Sequence, residues 1–239
     1  MKDALGTRMK RYENVSNFCL TPRSCVIIRI DGKAFHTFTR PYKKPFDPVI
    51  TGAMDFACIQ LFDKVQGSKI VYTQSDEISL LLTDFDTHET QGWYNYELNK
   101  IVSISASLVT GNFIREIIFR NLSEWVDGYG DLPAFDSRAF TIPRDDVVNY
   151  FLWRIKDCRR NSINGYAQSI FSHKELQGKN CDKVLEMLKE SGNAWDDPES
   201  RKITDRDRYG FLRASNGDIQ IVPEYSYLAE VINPFISFV

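Results

Sequence analysis

Residues 26–38 read VIIRIDGKAFHTF, a short apolar, β-branched run that ends abruptly in Asp31 and Gly32. Residues 69–82, KIVYTQSDEISLLL, set Asp76 and Glu77 between two further apolar runs. Runs of this length rich in Ile, Val, Tyr and Leu are strand signals. A strand that is apolar along its whole length is buried on both faces. It cannot end in an ionised carboxylate without cost, because a charge leaving water needs a cation, a proton or hydrogen-bond donors. The fold must bring these acids to such partners or to the surface.

The elements around the two runs narrow the choice. Residues 46–65, FDPVITGAMDFACIQLFDKV, offer Asp47 as an N-cap and Pro48 at the first helical position, and the apolar residues from Val49 to Val65 keep helical spacing. Strands follow at 69–73 and 77–83, close enough in sequence to form a hairpin. A long helix is expected from about 94 to 120. After a turn-rich segment at 127–133, residues 134–143 (AFDSRAFTIP) alternate as a strand, with Phe135, Ser137 and Ala139 on one face and Asp136, Arg138 and Phe140 on the other. The order β-α-β-β-α-β is an α+β arrangement, the ferredoxin-like split βαβ unit. Residues 144–162 and 180–191 carry helical patterns, and the tail is polar and in places basic. The expected organisation is a catalytic unit over 1–142 and a mostly helical extension over 143–239 packed on it, as one compact body. The apolar ending NPFISFV (233–239) suits an interface.

In a ferredoxin-like sheet the first and third strands are antiparallel central neighbours. The end of the first, at Asp31, therefore lies beside the start of the third, at Asp76 and Glu77. Three carboxylates converging on one edge repel one another unless a cation sits between them. Mg²⁺ suits such a place, since it takes oxygen ligands and is commonly held by one or two carboxylates plus substrate phosphates. Gly32 lets the backbone approach a ligand closely, so its carbonyl is a further donor. The turn DGKAFH offers successive N–H groups to a triphosphate. The alternative is an ordinary Asp-Gly turn and a Ser75-Asp76 hairpin cap.

Composition excludes some classes. With a formal net charge of −2 the chain is no bulk polycation, which leaves a local basic surface or Mg²⁺ to deal with anionic substrates. The five cysteines, Cys19, Cys25, Cys58, Cys158 and Cys181, form no CxxC pair, so they read as reduced, mostly buried thiols rather than a zinc site or disulfide framework. No apolar run reaches the roughly 20 residues of a membrane span. The start MKDALGTRMKRYENV has no apolar signal core, and the chain reads as cytoplasmic.

Taken together, RIDGKAFHTF, KKPFD, TQSDEISLLL and LWRIKDC, in this order over the first 165 or so residues, resemble the tRNA-histidine guanylyltransferase family and its relatives, the 3′–5′ RNA polymerases. The resemblance implies a polymerase-palm-type catalytic domain and two Mg²⁺ ions. It also implies addition of nucleotides to the 5′ end of tRNA, in the 3′–5′ direction. ATP first activates a 5′-monophosphate end, the 3′-hydroxyl of GTP then attacks, and AMP leaves; a 5′-triphosphorylated end skips activation and releases pyrophosphate. Carried onto this chain, Asp31, the Gly32 carbonyl and Asp76 match the metal ligands, with Glu77 as an assisting acid. Residues Asp31, Gly32, Lys33, Ala34, Phe35 and His36, with Ser75, match the triphosphate cradle. His36 reads as a phosphate contact or as a packed histidine. Lys44 and Lys100 fall where the family places basic phosphate contacts. Eukaryotic members carry His-Ile-Asn-Asn after the LWRIKDC helix, whereas this chain has Arg159 to Ser162, RRNS. That is closer to prokaryotic-type relatives that repair truncated 5′ ends on a template. Arg159 and Asn161 are then candidate RNA or phosphate contacts. Arg201, Lys202, Arg206, Arg208 and Arg213 form a basic segment that suits tRNA phosphates or a solvated face. A dimer or tetramer is implied as well.

Two other readings use the same residues. A nucleotidyl cyclase-like palm enzyme would act on free nucleoside triphosphates with the same acids. A non-catalytic RNA- or nucleotide-binding module would keep the fold without needing Asp31 or Asp76.

Overall fold

The computed structural model describes residues 3–120, 132–198 and 202–237. Its centre is one antiparallel sheet in the order β4-β1-β3-β2-β5-β6, formed by β1 (Cys25–Gly32), β2 (Ser68–Gln74), β3 (Glu77–Leu82), β4 (Phe135–Ile142), β5 (Phe211–Ala214) and β6 (Gly217–Ile219). Each of the three apolar runs is a strand buried on both sides. In β1, Val26, Ile28 and Ile30 enter one core while Cys25 and Ile27 enter the other.

On the first face lie α3 (Pro48–Lys64) and α4 (Leu98–Arg120). The α3 N-terminus forms as its sequence demands: Asp47 accepts a hydrogen bond from the Val49 N–H at 2.8 Å, and Pro48 occupies the first turn. On α4, Ile101, Ser105, Val109, Phe113 and Ile117 form the buried face. The helix begins four residues later than its pattern suggests, because Tyr94, Asn95 and Tyr96 adopt positive φ in a short 3₁₀ turn. Contrary to the expectation from composition, α4 is by length and hydropathy long and apolar enough to cross a membrane; in the fold it packs along α3 and the sheet.

On the second face lie α5 (Val147–Gln168) and α9 (Tyr225–Ile236). The ending 233–239 is not a free apolar patch over its described part: Ile236 is buried and Phe235 packs against the core, with Leu228 and Ile232 on the same helix. A smaller core joins α5 to α7 (Cys181–Glu190) and Trp195. Short helices α1 (Ala4–Asn14), α2 (Phe35–Phe38), α6 (His173–Leu176) and α8 (Asp205–Tyr209) complete the set among the described residues. The extension is mostly helical, yet it also adds β5 to the outer edge of β2, with Tyr72 opposite Leu212, and β6 beyond it. Cys25, Cys58 and Cys158 are buried; Cys19 is exposed. The turn-rich segment at 127–133 lies mostly outside the described residues.

Candidate active site

Register places the acids. Asp31 is directly opposite Glu77 on β3 and directly opposite Asp136 on β4, so three carboxylates form one row across the sheet. Directly opposed residues share a face, and the next row on that face is Arg138, Arg29 and Ser79. Asp76 sits in the two-residue turn between β2 and β3, where Ser75 takes a positive φ of 48°. The Gly32 N–H donates to the Asp76 carbonyl at 3.1 Å, which ties the end of β1 to that turn. Gly32 has no room for a side chain: a Cβ would stand 2.5 Å from the Phe35 ring and 3.0 Å from the Asp76 Cβ. The Phe35 ring is itself fixed against Phe38, Phe113 and Phe135.

The two neighbouring acids of the hairpin meet different surroundings. Glu77 is 4% exposed, and both of its oxygens are engaged. Arg154 donates through Nε to Oε1 at 2.6 Å and through Nη2 to Oε2 at 2.8 Å, while Arg29 Nη2 lies 2.9 Å from Oε2. Burial pushes the Glu77 carboxyl up, opposed chiefly by Arg154 and then Arg29. Asp76 has no arginine. Burial pushes its carboxyl above the usual carboxylate range, the Ser75 hydroxyl donating at 2.9 Å works against this, and the Asp31 charge adds to it. Among the described residues no group of three or more His, Cys, Asp or Glu side chains is arranged to hold a metal. The donor set at this edge is instead two carboxylates, Asp31 and Asp76, and the Gly32 backbone. That set fits Mg²⁺, whose remaining ligands are normally water and phosphate, and a cation there would relieve the repulsion that Asp76 feels.

After β1 the chain turns through Ala34 in the left-handed region (φ 49°) into α2. The Lys33 N–H is used by the Ala134 carbonyl at 2.8 Å, whereas the N–H groups of Ala34, Phe35 and His36 have no hydrogen-bond partner among the described residues. Three free N–H groups in succession form an anion-binding concavity. His36 is exposed and its Nε2 lies 3.2 Å from the Thr37 hydroxyl, so it is not a core histidine. Beside this turn opens a cleft of ≈ 180 Å³, whose walls include Phe35, Lys44, Ser75, Asn161 and Arg206. Lys44 Nζ donates to the Thr39 carbonyl at 2.8 Å.

Several residues named from the sequence end up elsewhere. Lys100 lies in the first turn of α4, paired with Glu97 at 2.7 Å. That helix starts after β3 has run away from Asp76, and its approach is tied to the segment before β1 by hydrogen bonds from Leu98 N–H to the Phe18 carbonyl and from Leu20 N–H to the Tyr96 carbonyl. One chain therefore puts Lys100 at the opposite end of the sheet from Asp31. Arg159 packs its guanidinium over the Trp195 ring at 5.3 Å. Most of the basic segment is consumed internally. Arg206 pairs with Asp55 at 2.7 Å, and buried Arg208 donates to the Trp195 and Asp197 carbonyls and to Asp205. Arg213 lies 3.6 Å from Asp218, and Lys202 donates to Asn193. Arg201 lies outside the described residues. Sequence reasoning missed the arginines that neutralise Glu77; the only signal was Arg29 breaking an otherwise apolar strand.

The family model for Thg1, tRNAHis guanylyltransferase, matches residues 6–143, which include both acidic segments. The chain belongs to this family. It is 29% identical to the tRNA(His) guanylyltransferase of Kluyveromyces lactis over 250 residues, covering 94% of this chain and 98% of that one. It is also 29% identical to an uncharacterized protein of Acanthamoeba polyphaga mimivirus, covering 81% and 72%. Among solved structures, it is similar to a bacterial tRNA(His) guanylyltransferase (Thg1)-like protein in complex with ATP. The identity is 36%, the TM-score 0.86, and the match covers 98% of this chain and 99% of that one. A complex of such a protein with GTP matches at 33% identity and TM-score 0.79, with the same coverage. The family is one of nucleotidyltransferases.

Proposed function

We propose that this protein is a Mg²⁺-dependent nucleotidyltransferase that adds GTP-derived or template-matched nucleotides to the 5′ end of tRNA in the 3′–5′ direction. The observation that carries the reading is the meeting of Asp31 and Asp76 at one sheet edge, joined by the Gly32–Asp76 hydrogen bond, beside an open cleft. The β1-α3-β2 and β3-α4-β4 units would form a ferredoxin-like, polymerase-palm-type catalytic unit over 1–142. The extension over 143–239 completes the same compact body through the β2–β5 pairing.

Asp31, the Gly32 carbonyl and Asp76 would hold two Mg²⁺ ions, which when bound stabilise the attacking and leaving oxygens of an in-line displacement. The protein's own groups position the reactants. The free N–H groups of Ala34, Phe35 and His36 donate to the triphosphate, and Lys44 and Ser75 reach phosphate oxygens from the cleft wall. Glu77 assists as a positioning acid: with its oxygens held by Arg154 and Arg29, it anchors cations beside Asp31. On a 5′-monophosphate end, the RNA phosphate displaces pyrophosphate from ATP; the GTP 3′-oxygen then forms its bond to the RNA phosphorus as AMP leaves. The similarity to proteins solved with ATP and with GTP supports both nucleotides as substrates. The RRNS segment supports repair of truncated ends over strict recognition of one tRNA.

The test is incubation with Mg²⁺, ATP, GTP and a tRNA lacking its first nucleotide, carrying either a 5′-monophosphate or a 5′-triphosphate. The reading expects a product one or more nucleotides longer, ATP-dependent only for the monophosphate. Absence of extension on both RNAs overturns it.

A further inference from the structure

Trp153 is out of keeping with the other described tryptophans. Trp93 and Trp195 are 8% and 2% exposed, whereas Trp153 is 51% exposed, on the outer side of a helix whose inner side is core. The ring is held from within. The Arg154 guanidinium carbon lies 4.3 Å from its centroid, that of Arg29 5.9 Å, and the Tyr150 ring stands edge-on at 5.9 Å. Both arginines are themselves fixed by Glu77, directly opposite Asp31. Half of a rigid indole is thus left to solvent beside the acidic row.

The surroundings identify what would cover it. Lys156 and Arg160 follow at three and seven residues, on the same exposed side of α5. Arg138, 52% exposed, stands opposite Arg29 in the sheet, and the buried Arg29 Nε has no hydrogen-bond partner. Nearby Asp157 is already neutralised by Arg154 and Arg160, and Asp136 by Arg138. An exposed aromatic face flanked by cations is the arrangement that binds unpaired nucleic acid, the ring stacking on a base and the cations on the backbone. Trp153 is not among the residues lining the Lys44–Ser75 cleft, so it is a separate platform from any nucleotide site there.

We propose that Trp153 is the stacking platform for the base at the 5′ end of the RNA substrate, with Lys156 holding the following phosphate. This rests on the function proposed above and adds the side from which the RNA end reaches Asp31. The indole acts on substrate position only; GTP and ATP bind independently of it.

The test uses the full chain and a 5′-truncated tRNA. Binding is followed by titration, and extension by varying RNA and GTP separately. In W153A the RNA Kd and the KM for RNA should rise about 5- to 150-fold, the range of one lost base–aromatic stack. The KM for GTP should not change. W153F should recover most of the loss, since any π-face serves. RNA should quench tryptophan fluorescence in the wild type, and less in W153F. K156A should flatten the salt dependence of binding. The proposal is overturned if W153A binds RNA as well as the wild type, if W153F is as poor as W153A, or if the loss follows a change in oligomeric state measured by light scattering. A wild-type protein that binds RNA in this way but extends none would sink the proposed function and leave the platform standing.

Discussion

Asp76 and Glu77 are adjacent in sequence and both are pushed toward the protonated form by burial, yet the structure settles their charges in opposite ways. Glu77 is answered by two guanidinium groups, with hydrogen bonds to both oxygens. Asp76 is answered by the Ser75 hydroxyl and a backbone N–H, with no cation, and faces a second acid, Asp31. A protein that can neutralise one buried carboxylate so fully has left its neighbour uncompensated. On the function proposed above, the difference marks where a cation would sit: the Glu77 cluster would be scaffold and the Asp31–Asp76 pair the working edge.

The sharpest way to break this contrast is to remove each acid in turn. Asp31→Ala and Asp76→Asn should each lower 5′ extension on the order of 10³-fold, as expected when several kcal/mol of charge stabilisation are lost, with far-UV circular dichroism unchanged. Retained turnover in either would end the distinction. Next in size is the scaffold. Arg154→Ala should lower the unfolding free energy by about 3–5 kcal/mol in urea titration, because it strips a buried carboxylate of its main partner. Gly32→Ala should cost both stability and activity, with about 1–3 kcal/mol of destabilisation from overpacking against Phe35 and Asp76.

The smallest effect is in pH and metal dependence. Because the folded-state pKa of Asp76 is raised, its contribution to stability is present below its unfolded pKa and is lost as pH rises through the folded value. Asp76→Asn should therefore be slightly more stable than the wild type at neutral pH, and the difference should vanish in acid. Saturating Mg²⁺ with GTP should raise the wild-type melting temperature and leave that of Asp76→Asn almost unmoved. Equal shifts in the two would contradict the assignment.

The parts of this arrangement that follow from short-range pattern were legible in the sequence. The Asp47–Pro48 helix start, the hairpin around Ser75-Asp76 and the alternation after Phe135 each depend on neighbours within a few positions. The strand order then follows from β-α-β-β-α-β connectivity. What was not legible depends on distant pairs. Arg154 reaches Glu77 across 77 positions, and nothing in LWRIKDC tells a surface arginine from a buried one. The strands β5 and β6 have only four and three residues, too short to carry a period, and exist because the β2 edge pairs with them. Lys100 was matched by a family pattern, whereas its position in one chain is set by where the α4 helix begins.

The most direct measurement replaces Mg²⁺ with Mn²⁺ and counts bound ions by electron paramagnetic resonance in the presence of a non-reactive GTP analogue. The account predicts bound Mn²⁺ in the wild type, its loss in both Asp31→Ala and Asp76→Ala, and its retention in Glu77→Gln. Mn²⁺ that survives either aspartate substitution, or that disappears with Glu77→Gln while the fold is intact, would contradict it.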